Sequence, residues 1–141
     1  MTDAVAAEEI RSLVARLAHL ADGGDLDDYL ALFTDDAVWD MPAHSLSRAP
    51  AGRRQGRAEI AEAARTRRAA GTVGPGSATR HVTGCVDVQV EDADNARAVA
   101  IWQFYAQTAT RPTLVSMGRY DDRFRREGGR WLLASREITV G

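Results

Sequence analysis

The sequence predicts an α+β fold, and three observations carry that expectation. Residues 80–140 hold four successive runs rich in β-branched and aromatic residues: Arg80–Val90, Ala96–Thr108, Thr113–Arg126 and Arg130–Val140. The gaps between them are short and made of turn residues: Asp92–Ala93–Asp94–Asn95, Thr110–Arg111–Pro112 and Glu127–Gly128–Gly129. Connections of that length join only antiparallel neighbours, because a parallel return needs a crossover of about a dozen residues or more. The third observation is that the first half of the chain has helical rather than alternating apolar spacing. Strands this long twist and curl, so the expected meander wraps around the helices, which gather on one face.

The elements follow in order. Asp3–Asp22 is the first helix. Thr2 or Asp3 caps it, Glu8 and Glu9 lie towards the favourable end of its dipole, and Ile10, Leu13, Val14, Leu17, Leu20 and Ala21 form one apolar stripe. Gly23–Gly24 is expected to stop it with a left-handed C-cap. Asp25 caps a second helix running to about Phe33, with Asp28 as capping-box partner. Thr34–Asp35–Asp36 turns the chain into a strand, Ala37–Met41, ended by Pro42. Residues 43–55 have no apolar periodicity and read as a loop, of a length that suits a lid or entrance segment. Arg57–Ala70 is the third helix, with Ile60, Ala63 and Ala64 on its narrow apolar side, and Gly71–Ala78 is a second loop leading into the sheet.

Composition bounds what the chain does. The 141 residues are expected to form a single domain, 1–141, large enough to bury ~70% of the unfolded chain's surface. Hydrophobic content of 45%, charged content of 27% and a net charge of −2 are those of an ordinary soluble protein. No apolar run approaches the ~20 residues that span a bilayer, and the N-terminus lacks the pattern of a signal peptide. The lone Cys85 cannot form an intramolecular disulfide, so a reducing cytoplasm is expected. Cys85 itself reads as a small core residue. Arg48, Arg53, Arg54, Arg57, Arg65, Arg67 and Arg68 make a basic region, but Glu59 and Glu62 interrupt it and aromatics are lacking. It reads as a solvated face, with no nucleic-acid partner. Three scattered His (His19, His44, His81) and one Cys show no metal-ligand spacing, so no metal is expected.

The stretch Ala21–Asp22–Gly23–Gly24–Asp25–Leu26–Asp27, followed by Leu32–Phe33–Thr34–Asp35–Asp36–Ala37–Val38–Trp39, resembles the opening of the nuclear transport factor 2-like superfamily. More narrowly it resembles the SnoaL-like branch that includes scytalone dehydratase and bile-acid 7α-dehydratase. Gly56–Arg57, Arg80–His81, Gly118–Arg119–Tyr120–Asp121–Asp122 and Gly129–Arg130–Trp131 before Arg136 agree in order and spacing. The resemblance implies a cone-shaped barrel: a curved, mainly antiparallel sheet closed by the three N-terminal-half helices around a deep apolar pocket.

The resemblance also implies chemistry. Dehydratase-like members pair a His at the start of a sheet strand with an Asp at the end of the first helix, and the matching residues are His81 and Asp22. An Asp that accepts one ring N–H fixes the imidazole tautomer, which frees the other nitrogen to act as general base and then general acid. Bile-acid dehydratase-like members carry a Tyr five residues before the Asp, where this chain has Leu17. A phenol that polarises a substrate carbonyl would therefore come from Tyr29, Tyr105 or Tyr120. Trp39, Met41, Trp102, Phe104 and Tyr120 alternate along strands as candidate cavity-lining residues, and Arg136 is the candidate contact to a polar substrate group.

The expected function is a cofactor-independent lyase or isomerase, of dehydratase or cyclase type, acting on a small apolar hydroxylated or carbonyl compound. Two alternatives stand beside it. One is a non-catalytic ligand-binding or scaffold domain with the same pocket. The other is epoxide hydrolysis, whose Asp–Arg–Asp arrangement in this superfamily Arg119–Tyr120–Asp121 echoes in part. Val82, Val86, Val88 and Val90 share one face of their strand and His81, Thr83 and Cys85 the other, unless Gly84 marks a bulge. With His81 facing inward, the valine row predicts a homodimer formed through the sheet.

Overall fold

The computed structural model describes residues 2–41 and 51–141. The chain runs α1 (Asp3–Gly23), α2 (Leu26–Leu30), β1 (Phe33–Met41), β2 (Gly52–Gln55), α3 (Arg57–Ala69), β3 (Thr79–Val90), β4 (Asn95–Ala106), β5 (Thr113–Glu127) and β6 (Arg130–Val140). All six strands form one curved sheet in the order β2-β1-β6-β5-β4-β3. The last four make the expected antiparallel meander, β1 lies parallel to β6, and β2 folds back antiparallel on β1. The helices cover one face, α1 against β3 and β6 and α3 against β1 and β2. The architecture is α+β, as the sequence predicts.

The inner face of the sheet divides in two. Along β4, Ala96, Ala98 and Ala100 point inward and are buried. These short side chains join one core with Ile10, Val14 and Leu17 of α1, Phe124 of β5 and Leu133 of β6. Further along the same strand the inward residues become Trp102 and Phe104, and there the interior is hollow. The alternation that builds the core thus also builds the cavity, by changing residue size along a single strand.

Several boundaries differ from expectation. The second helix stops at Leu30 rather than Phe33, and the strand begins at Phe33 rather than Ala37. Phe33 is fully buried opposite Leu133 of β6, and the Leu133 N–H donates to the Leu32 carbonyl, so sheet pairing overrides local helical preference. Gly24 is extended (φ −94°, ψ 177°) and not left-handed. Any side chain at Gly24 would strike Leu20, so the position uses the absence of a Cβ rather than a positive φ. The expected loop 43–55 is partly strand: Gly52–Gln55 pairs with Val38–Met41. That pairing is carried by the backbone of a segment with no apolar side chain, which leaves no periodicity to detect. Residues 42–50, including His44, lie outside the described residues.

In β3 the register shifts between Gly84 and Asp87, and Cys85 takes φ +50°. This bulge overturns two expectations. Cys85 is exposed rather than a core residue. The valine row is split, with Val82 exposed on the outer face while Val86, Val88 and Val90 turn inward onto the core. The extra residue lets His81 and the three valines, on opposite parities, point the same way.

Candidate active site

Asp22 lies in the last turn of α1, and its carboxylate is buried beside the start of β3. The His81 main-chain N–H donates to Asp22 Oδ2 at 2.8 Å, and His81 Nδ1 lies 2.7 Å from Asp22 Oδ1. A carboxylate only accepts, so Nδ1 carries the proton and Nε2 is the nitrogen left for chemistry. The ring packs against Phe104 at 4.8 Å between centroids, and His81 lines the cavity. A second clamp holds the helix end: Arg68 of α3 donates to the Gly24 and Leu20 carbonyls, both at 2.9 Å. Carbonyls left free at a helix C-terminus take up a guanidinium readily, since charge and hydrogen bonding act in the same direction.

The cavity has a volume of about 440 Å³, within the range of small-molecule sites. Trp39, Met41, Trp102, Phe104 and Tyr120 all line it, together with Ile138 and Val140 of β6. The residue types therefore converge as the strand alternation implies. The lip between α3 and β3 is tied by hydroxyls: Thr79 donates to the Thr72 carbonyl at 3.1 Å, Ser77 to the Gly74 carbonyl at 2.6 Å, and the two hydroxyls lie 2.7 Å apart. Opposite, the Thr108 N–H donates to the Ala78 carbonyl. Ala78 and Gln107 both line the cavity with positive φ, a conformation that side chains other than glycine's seldom adopt.

Arg136 is not among the lining residues, in contrast to the expected direct contact with substrate. It is buried in a bidentate pair with Asp122, Nε to Oδ1 and Nη2 to Oδ2, both 2.7 Å. Its guanidinium lies 3.7 Å from the Tyr120 ring centroid and 5.5 Å from that of Trp39. Burial pulls the Arg136 pKa down, but the Asp122 charge and hydrogen bonds outweigh it and the net shift is upward. The strand alternation places Arg136 inward, but its head reaches Asp122 on the adjacent strand, in register with it, and stays behind the cavity wall. Tyr120 on that wall is pushed up to about 12, first by burial, so its phenol stays neutral. Arg119 and Asp121 pair with each other at 2.9 Å on the exposed side and take no part in the cavity.

Several lining residues have no signal in the sequence: Arg67, Thr72, Ser77, Gln107 and Ser116. Arg67 and Arg68 read there as part of a solvated face. The short α3 has a narrow apolar side, and its last turn swings these two arginines over the cavity and the end of α1. Arg67 lies with its guanidinium 5.8 Å from the Trp39 ring centroid. No described group of three or more His, Cys, Asp or Glu residues is placed to hold a metal ion. No helix among the described residues is long and apolar enough to cross a membrane.

Comparison with known proteins places the fold. A family model described as a SnoaL-like domain matches residues 3–137. No curated protein sequence matches the chain. Among solved structures, the chain is similar to Aln2 from a Streptomyces species, at 18% identity and TM-score 0.79, covering 99% of this chain and 93% of that one. It is also similar to a candidate scytalone dehydratase from Novosphingobium aromaticivorans, at 15% identity and TM-score 0.75, with 99% and 86% covered. An NTF2-like protein with a cystatin-like fold from the same organism shares 26% identity at TM-score 0.75, with 94% and 80% covered.

Proposed function

Because the chain belongs to the SnoaL-like domain family, within the NTF2-like superfamily, we propose that it is a cofactor-independent lyase or isomerase, of dehydratase or cyclase type. Its substrate is a small, largely apolar molecule bearing a carbonyl or hydroxyl group. One observation carries the proposal: the Asp22 carboxylate grips both the main chain and Nδ1 of a histidine on the wall of a hollow, mostly apolar cavity.

The chemistry follows from that grip. His81 Nε2 takes a proton from the carbon beside a carbonyl, and Asp22 stabilises the imidazolium that forms. The same Nε2–H then protonates a departing hydroxyl, so that a C–H and a C–O bond break, a C=C bond forms and water leaves. Returning the proton to a different carbon gives isomerisation instead. Of Tyr29, Tyr105 and Tyr120, only Tyr120 lines the described cavity, and it supplies the neutral phenol that polarises the carbonyl. Arg136 acts on the substrate only through Tyr120, by holding that ring. Trp39, Met41, Trp102 and Phe104 supply the apolar wall.

In this proposal residues 1–141 act as one domain in the cytoplasm, paired as a homodimer. Val82, Ile101, Leu114 and Met117 are exposed on the outer face of β3, β4 and β5, where Val82, Gln103 and Met117 stand in register. That apolar patch, rather than a row of valines along β3, is the dimer surface. A monomer by light scattering at micromolar concentration counts against it.

The test of activity is a panel of cyclic β-hydroxy ketones, followed by enone absorbance and by deuterium uptake from heavy water. Turnover or exchange by the wild type that His81→Gln abolishes supports the enzyme. Neither reaction in the wild type, or full activity in His81→Gln, points to the non-catalytic binding domain with the same pocket.

A further inference from the structure

We infer that Arg67 is a specificity-determining residue, and that the molecule this cavity takes carries an anionic oxygen group on an otherwise apolar frame. The inference deepens the function proposed above, since it concerns the same cavity, but it rests on different residues.

Charge in the cavity is one-sided. Among its described lining residues there is no Asp or Glu, and Arg67 is the only Arg or Lys. The Arg67 side chain has no hydrogen bond or ion pair among the described residues. Residues 42–50, which lie outside them, contain no Asp or Glu, so they hold no carboxylate to pair with it. Its neighbour Arg68 is the contrast: both of its terminal nitrogens are engaged by carbonyls of α1. The other buried arginine of the interior, Arg136, is likewise fully engaged by Asp122. Arg67 alone of the three keeps its donors for something else.

Its position is also fixed rather than trailing in solvent. Thr72 holds the Arg67 carbonyl with both its main-chain N–H, at 3.1 Å, and its hydroxyl, at 3.0 Å, which anchors the last turn of α3 at the lip. The guanidinium rests against the Trp39 ring, a lining residue, and its charge is felt by the buried Tyr29 phenol. An arginine stem laid on an aromatic face loses little further freedom when it binds, and its planar fork matches a carboxylate with two parallel hydrogen bonds. A half-buried cation beside a mostly apolar hollow loses solvent contact when an apolar frame fills that hollow, so a frame that brings its own anion offsets the cost. Thr72, Ser77 and Thr79 lie along the same lip, but each hydroxyl already donates to a main-chain carbonyl, which leaves the Arg67 fork as the anion donor there. The neutral end of the molecule then points to the wall that carries His81 and Tyr120.

The test is binding, which does not depend on turnover. Titration of 2-naphthoate and of its neutral analogue 2-naphthamide, followed by calorimetry, separates charge from shape. The wild type should bind the carboxylate at least tenfold more tightly than the amide, a preference that weakens with added salt. Arg67→Met should erase the preference while still binding the amide, which shows the pocket intact. His81→Gln should keep the preference, which assigns it to Arg67 rather than to the imidazole. Arg67→Lys retains the charge and should retain part of the preference. Equal affinities in the wild type, no binding of the carboxylate, a preference that persists in Arg67→Met, or its complete loss in Arg67→Lys each overturns the inference. None of these results depends on whether Asp22 and His81 catalyse a reaction, so the two proposals fail separately.

Discussion

Asp22 holds His81 through both carboxylate oxygens, one on the main-chain N–H and one on Nδ1. The first contact ties the first residues of β3 to the end of α1, and the second fixes the tautomer, so structure and chemistry can be separated by substitution. In Asp22→Asn the amide oxygen can still accept from the main chain, but the NH2 then faces Nδ1. That nitrogen must become the acceptor, the proton moves to Nε2, and the general base is lost. Turnover should fall ~100-fold or more, the usual scale of acid–base catalysis, with little change in stability. Asp22→Ala leaves the buried N–H without a partner and should in addition cost about 1–3 kcal/mol. Urea denaturation beside steady-state kinetics distinguishes the two variants; equal stability loss in both would sink the division of roles.

Arg68 ties α3 to the end of α1, and Asp22 sits between the two carbonyls it binds, Leu20 and Gly24. Arg68→Met keeps much of the stem but removes two charge-assisted hydrogen bonds. With the group half-buried, the expected cost is about 1–3 kcal/mol in urea denaturation. Because the helix end carries Asp22, amide exchange at His81 should rise more than at Phe124, which lies in the core far from the clamp. Uniform exchange at both sites would mean that Arg68 contributes to global stability only.

Much of this is legible in the sequence, and the rest is hidden for identifiable reasons. The meander is readable because strands from Arg80 onward alternate and their turns carry Gly, Asp and Pro. Trp39, Met41, Trp102, Phe104 and Tyr120 can be placed on the cavity because strand parity fixes the face. Asp22 and His81 emerge through family resemblance; spacing alone does not bring together residues so far apart in the chain. β2 escapes notice because a two-stranded edge pairing without apolar side chains has no periodic signature. The split of the valine row is foreseeable only as a condition on Gly84, since a bulge is a single backbone event that reverses parity downstream. Arg67 and Arg68 are hidden because a charged residue at a helix end reads as solvated until the neighbouring elements are in place. Strand parity points Arg136 at the cavity, and Asp122, in register across β5 and β6, captures it instead.

The Asp122–Arg136 pair is enclosed and close to isolated from solvent. Removing one partner strands the other's charge in the interior, which costs about 3–5 kcal/mol for a buried pair. Asp122→Leu and Arg136→Met should each approach that loss. The double variant Asp122→Leu with Arg136→Met should cost less than either single change, because no charge is left unpaired. Since Arg136 also lies over Tyr120, even a well-folded double variant should bind apolar ligands less tightly. Additive losses in the double variant would show that the two residues act independently.

Tyr120 makes the alkaline limb of stability a signature of the cavity wall. Its folded pKa is pushed from 10.0 up to about 12, with burial as the main cause, and Tyr29 is raised for the same reason. A raised pKa means that the folded state keeps a proton that the unfolded chain gives up. The stability linked to Tyr120 is therefore fully present below pH 10, and it is lost as pH rises from 10 through about 12. Its size is on the order of 2–3 kcal/mol, from the usual equivalence of one pKa unit to 1.36 kcal/mol. Urea midpoints should decline over that interval, and Tyr120→Phe, which cannot ionise, should flatten part of the decline. Tyr29→Phe should flatten a further part, and the wild-type tyrosinate absorbance should rise late, together with unfolding. A Tyr120→Phe profile that follows the wild type from pH 10 to 12 would show that the phenol is solvated and not part of a buried wall.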